Sequence, residues 1–198
     1  MTAPVLNDFS WERMIAAVED VRERACRAAR ALREAGISHV VIGGHAVAAW
    51  VARVDKEAVR TTKDVDFLIR REDFARVINA LQSAGFVHQY VSGAEVFLDG
   101  EHGSVRSAIH VVFAGERVRP DSIEPSPDVT EFEAGPDFSV PTLEALVRMK
   151  LTSFRLKDKV HLLDLLEVGL VDANWCDRLP AALAARLTEV IHARNDEA

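Results

Sequence analysis

Two aspartates, Asp64 and Asp66, alternate with apolar residues in KDVDFLI, and two adjacent glycines, Gly43 and Gly44, precede them in VVIGGHAVAAW. In an extended segment successive side chains point to opposite faces. Both carboxylates therefore emerge on one side, while Val65 and Phe67 face the other. Neighbouring carboxylates repel each other, which costs stability unless a cation lies between them. Hard oxygen donors of this kind suit Mg²⁺, which takes one or two protein carboxylates and leaves its remaining positions to water and phosphate oxygens. A strand that turns through Gly43 and Gly44 into a helix lets backbone amides and the helix dipole approach a phosphate chain. Each half of the pattern is common alone, and the order and spacing of the two are more specific.

The elements that must position these residues are legible from periodicity. Trp11 to Ala35 carries Met14, Ile15, Val18, Val21, Ala25, Ala28 and Leu32 at helical spacing, with Gly36 as a stop. HVVIGG reads as a buried strand ending at the glycines, AVAAWVARV as the helix after them, and Asp64 to Ile69 as an alternating strand. Arg71 to Ala84 is helical, with Gly85 just past its end. From Phe86 to Phe138 the chain turns β-rich, with short runs at Val96 to Leu98, Ala108 to Phe113 and Phe132 to Val140, read as further strands of one mixed sheet. Pro141 and Thr142 then introduce a helical remainder, closing with a helix over Ala181 to Arg194 and a frayed polar end. The expected class is α/β (α+β), a mixed sheet flanked by helices. It divides into an N-terminal helix over 1–36, a core over 37–140 and a C-terminal helical region over 141–198.

The chain of 198 residues is 48% hydrophobic and 28% charged, enough to bury a full core. Its start lacks the basic-then-apolar order of a leader and no apolar run is long enough to span a bilayer, so the expectation is a cytoplasmic protein. Cys26 and Cys176 have no metal-type spacing and read as reduced thiols. A net charge of −7 argues against nonspecific coating of nucleic acid, although Arg148 to Lys159 is locally basic.

With the motifs VVIGGHAVAAW and KDVDFLI in hand, the sequence resembles the DNA polymerase β-like nucleotidyltransferases, in which an apolar strand, a Gly-Gly or Gly-Ser turn and a helix precede a strand bearing Asp-x-Asp. The stretch LVRMKLTSFRLKDKVHLLDLL makes it most similar to bacterial AbiEii-type nucleotidyltransferase toxins. There the resemblance matches Lys150, Arg155 or Lys157, Asp158 and Asp164 to residues of the nucleotide site. It implies Mg²⁺-dependent transfer of a nucleoside monophosphate from a nucleoside triphosphate to a hydroxyl, with Asp64 and Asp66 on the metal and Gly43 and Gly44 at the phosphates. It further implies an RNA acceptor, tRNA in particular, and a toxin or phage-defence setting with an antitoxin-like partner. Read without the family, Lys150, Arg155 and Lys157 either neutralise a triphosphate or form a solvated helix face with ion pairs, Lys157 to Asp158 among them. Arg60 and Lys63 are divided between phosphate contact and exposed loop, and His45 reads as a surface residue at a helix start.

One departure stands out. Active members carry a third carboxylate on a later strand, and in SAIHVVFAGE that position falls on His110. An imidazole there has three readings: a general base on the acceptor hydroxyl, a ligand for a softer metal, or a strand histidine satisfied by a neighbour. Glu95 is a candidate for the missing charge. Two further functions stay open: a nucleotide-binding module that has lost catalysis and works beside a protein partner, and an enzyme that modifies a small molecule such as an aminoglycoside.

Overall fold

The computed structural model describes residues 8–197. The reading of the chain's first residues and the end at Ala198 lie outside that range. Helix α1 (Trp11–Glu34) starts at Ser10, whose hydroxyl accepts from the Arg13 amide, and Gly36 at φ +63° reverses the chain into β1 (His39–Ile42). Helix α2 (Gly43–Ala52) follows without a linker. Then come β2 (Val65–Ile69), a short 3₁₀ turn and α3 (Phe74–Ser83), the hairpin β3 (Phe86–Val91) and β4 (Ala94–Asp99), and β5 (Ile109–Phe113).

These strands form one sheet in the order β1-β2-β5-β4-β3, in which β2 and β5 run parallel and every other neighbouring pair antiparallel. One face carries Val41, Phe67, Phe97 and Ile109 and is covered by α1 and α3, with Ala28, Leu32, Val77 and Leu81 fully packed. The other face carries Val40, Ile42 and Leu68, against which Val129 and Met149 pack. Strand β3 has no counterpart in the sequence reading, because VHQY is half polar. It is the sheet's last strand, and its exposed positions Gln89 and Tyr90 obscure the pattern. The segment Phe132 to Val140 does not join the main sheet. It makes a separate two-stranded ribbon, β6 (Phe132–Ala134) with β7 (Ser139–Pro141), because Gly135 and Pro136 break the run and Pro141 has no amide to donate.

The helical remainder is α4 (Leu143–Ser153), α5 (Leu156–Glu167), a 3₁₀ segment that includes Cys176, and α6 (Ala181–Glu197). Helix α6 runs through the residues expected to fray. Thr142 caps α4 through its hydroxyl, and Phe154, left-handed at φ 49°, turns the chain into α5. Helix α2 belongs to this layer as much as to the sheet. Ala46, Val47, Trp50 and Val51 share a core with Leu146, Leu151, Leu162, Leu165, Leu183 and Leu187, each burial of such a leucine being worth roughly 1.5–3 kcal/mol. The Trp50 indole donates to the Pro141 carbonyl at 3.0 Å. The glycine turn is thus clamped between sheet and helices. Among the described residues no helix is long and apolar enough to cross a membrane, and both cysteines are half-buried free thiols.

Candidate active site

The DxD pair sits at the mouth of β2. The strand begins at Val65, so Asp64 stands just before it rather than inside it as the alternation implied. Asp66 is in the strand, opposite Ile42 on β1 and beside His110 on β5. Paired positions share a face, so Asp66 and His110 are neighbours on the side of the sheet away from α1.

Gly43 is required here by two independent facts. Its φ of +73° favours glycine, and a Cβ built on it would lie 2.1 Å from the Asp66 Oδ2. The carboxylate is pressed against the turn. A Cβ on Gly44 would lie 2.8 Å from the Thr62 Oγ1, so the second glycine makes room for the loop leading into β2. That loop is anchored further back, where the Arg60 Nε donates to Asp164 Oδ1 at 2.6 Å. Asp164 is buried, and Arg60 answers to it rather than hanging free. Lys63 is exposed.

Helices α4 and α5 close the other side. Lys150, 5% exposed, donates to Asp158 Oδ1 at 3.2 Å, and Asp158, 1% exposed, also accepts from the Arg155 Nε at 2.9 Å and the Arg155 amide at 3.2 Å. Asp158 thereby caps α5 as well as holding Lys150. The ion pair expected between Lys157 and Asp158 is not formed, because Asp158 is turned inward to Lys150. Lys157 reaches across to Asp64 Oδ2 at 3.1 Å instead, with both side chains about half exposed.

Burial pushes the Asp66 carboxyl above its ordinary value, and the nearby His110, Lys157 and Lys150 do not overcome it. Burial likewise lowers Lys150 against the opposing pull of Asp158. Burial raises Asp158, but Lys150 and Arg155 outweigh it and leave the carboxyl below the usual value.

Two further histidines join the site, one expected at the surface and one not singled out in the sequence. His45, taken as a surface residue, is half-buried with an unpartnered Nε2. Burial lowers its pKa, and Asp64 is the neighbour that raises it. His161, one turn past Lys157 on α5, has a buried Nδ1 without a partner, and burial with Lys150 beside it brings its pKa to about 4. The i, i+4 spacing of Lys157 and His161 was the available signal. Glu95 does not supply the missing charge. It pairs in register with Val111, on the opposite face from His110, and bonds His88 Nε2 at 2.7 Å.

Among the described residues no three His, Cys, Asp or Glu side chains converge as a closed metal centre. The donor set is an open pair of adjacent carboxylates, one short of charge compensation and the other held by a lysine at the surface. That set fits a hard divalent cation which takes its other ligands from water and phosphate.

A sheet carrying an Asp-x-Asp strand beside a Gly-Gly turn and a helix defines a nucleotidyltransferase fold. The chain belongs to a family of uncharacterised nucleotidyltransferases, whose profile matches residues 10–123. No curated protein matches it by sequence. Similar solved structures include two that follow. One is an antigenic nucleotidyltransferase-like protein from Paracoccidioides brasiliensis, with TM-score 0.58 and 14% identity over 90% of each chain. The other is the antibiotic-resistance factor ANT(2″)-Ia, with TM-score 0.53 and 14% identity over 90% of this chain and 94% of that one. At that identity the likeness is one of fold.

Proposed function

We infer that this nucleotidyltransferase moves a nucleoside monophosphate from a nucleoside triphosphate to a hydroxyl, releasing pyrophosphate. The observation that carries the reading is Asp66 pressed against the Gly43 turn, with His110 beside it in register and Asp64 at the strand mouth. Asp64 and Asp66 would hold Mg²⁺, which when bound withdraws charge from the phosphoryl oxygens and stabilises the leaving pyrophosphate. Lys157, released from Asp64, is within reach of the same anions and turns to the triphosphate. The first turn of α2 carries no acidic side chain and no side-chain cap, which leaves its amides to phosphate oxygens. The acceptor oxygen attacks the α-phosphorus as the bond to the pyrophosphate oxygen breaks. Its proton passes to the imidazole of His110, beside Asp66 in register, where the resemblance expects a third carboxylate.

The resemblance to AbiEii-type toxins supports an RNA acceptor and an antitoxin-like partner. One feature of the site favours a small hydroxylated molecule instead. Every cation of the basic stretch is matched within the chain: Arg148 by Glu124, Lys150 and Arg155 by Asp158, Lys157 by Asp64 and Lys159 by Glu189. No unpaired basic track is left there for a nucleic-acid backbone. The test is incubation with Mg²⁺, each α-labelled nucleoside triphosphate, and either total RNA or a panel of aminoglycosides and other polyols. Label in a small molecule supports the second acceptor and label in RNA the first. Nucleotide binding without transfer to anything identifies a catalytically silent module.

A further inference from the structure

The periodic stripe of α1 is buried over only half its length. Val21, Ala28, Ala29 and Leu32 pack on the sheet, whereas Trp11, Met14, Ile15 and Val18 are 78%, 62%, 67% and 50% exposed, and Phe9 just before them is fully exposed. Nearly every residue from Trp11 to Asp20 is exposed, so this half of α1 projects from the body with no face against it among the described residues. An isolated helix shorter than ~12–15 residues is marginal in water, and one that also displays a continuous apolar stripe is the usual mark of an interaction surface. The free half leaves the body at the end of the sheet that carries the site, since Arg24, one turn further on, pairs at 3.5 Å with Asp99 at the end of β4.

We propose that this stripe is a homodimer interface in which the projecting halves of α1 from two copies pack antiparallel. Trp11, Ile15, Val18 and Arg22 follow the four-then-three spacing of a helix–helix seam. Antiparallel pairing places Ile15 against Val18 of the other copy and keeps the two bodies at opposite ends of the seam. It also sets Arg22 opposite Trp11 and Glu12 of the second copy, a cation facing an aromatic ring and a carboxylate. Arg22 already bonds Glu19 at 2.6 Å, so it would bridge two carboxylates that otherwise repel. Large aromatic side chains each cover roughly 150–250 Å². Trp11 with Ile15 and Val18 therefore makes a small seam, below the ~800 Å² per partner of a standard interface and of the size of a weak association.

Sedimentation equilibrium of the full chain at high micromolar concentration tests this. Wild type is expected at twice the 21.9 kDa chain mass. Ile15→Glu, a change at a residue exposed in the single chain, should leave the far-ultraviolet circular dichroism intact. It should weaken dimerisation by at least about 30-fold, the size of an interface hot spot. Arg22→Glu should also weaken it, and Arg22→Glu combined with Glu12→Arg should restore it. A wild-type monomer overturns the proposal, whether residues 1–7 or another protein then covers the stripe. So does a dimer indifferent to Ile15→Glu, and a double charge swap without rescue overturns the antiparallel register.

Discussion

At the scale of single residues, the site is an arrangement of charges that compensate one another incompletely. Lys157 neutralises Asp64, yet a pair about half exposed is worth no more than ~1 kcal/mol, so a divalent cation can displace it. Lys157→Gln should therefore raise Mn²⁺ affinity in the absence of nucleotide, by up to about fivefold, while weakening nucleoside triphosphate binding. Calorimetric titration of both ligands measures this, and unchanged Mn²⁺ affinity would show that the lysine does not compete. Lys150 differs because it is buried. Lys150→Ala leaves the buried Asp158 with Arg155 as its remaining cation and should cost about 1.5–3 kcal/mol in urea unfolding. A melting curve identical to wild type would reassign Lys150 to the ligand alone. Asp66 has a folded-state pKa raised by burial, so the folded protein favours the neutral acid. Wild type then loses stability as pH rises from the ordinary value of 3.8 through the raised one. Without metal, Asp66→Asn should be the more stable protein at neutral pH, with the advantage vanishing below the ordinary value. Parallel melting curves across pH would contradict this.

The elements position these charges through a few tight contacts. The β1–α2 turn admits no side chain, since Gly43 has both a left-handed backbone and the Asp66 carboxylate in the place of a Cβ. Gly43→Ala should lower the melting temperature and abolish joint metal and nucleotide binding. Gly44→Ala meets Thr62 first, which sits in a loop, so it should disturb that loop while leaving the strand in place. Hydrogen exchange over residues 53–64 distinguishes the two, and equal effects of both variants would argue against the assigned contacts. The Arg60–Asp164 pair ties that loop to α5.

For the whole molecule, the sheet and the helical layer meet at the site, and His161 reports on that junction. Its pKa falls from 6.5 to about 4 because burial and the neighbouring Lys150, Lys157 and Arg155 disfavour its protonated form, against Asp158. The unfolded chain binds the proton first as pH falls. Stability should therefore drop between pH 6.5 and about 4 and level off for this group below that. His161→Gln should flatten that part of the profile in equilibrium unfolding. An unaltered slope would mean that other groups set the acid sensitivity.

Much of this was readable along the chain. The Gly43–Gly44 turn, the Asp-x-Asp strand, His110 on a later strand, and the helices from Thr142 onward all follow from local periodicity and turn chemistry, which need only neighbours in sequence. What the tertiary structure decided are the partnerships between distant residues. Asp158 turned to Lys150 instead of Lys157, Arg60 met Asp164, Glu95 faced the wrong side of the sheet, and His45 and His161 came to line the site. The apolar stripe of α1 makes the same point. Spacing alone marks it as one face, but only the packing of α1 on the body determines that Val21 to Leu32 is covered while Trp11 to Val18 is left exposed. Register and burial are set by which surfaces meet, and a one-dimensional pattern carries the tendency to bury a face without the identity of what covers it.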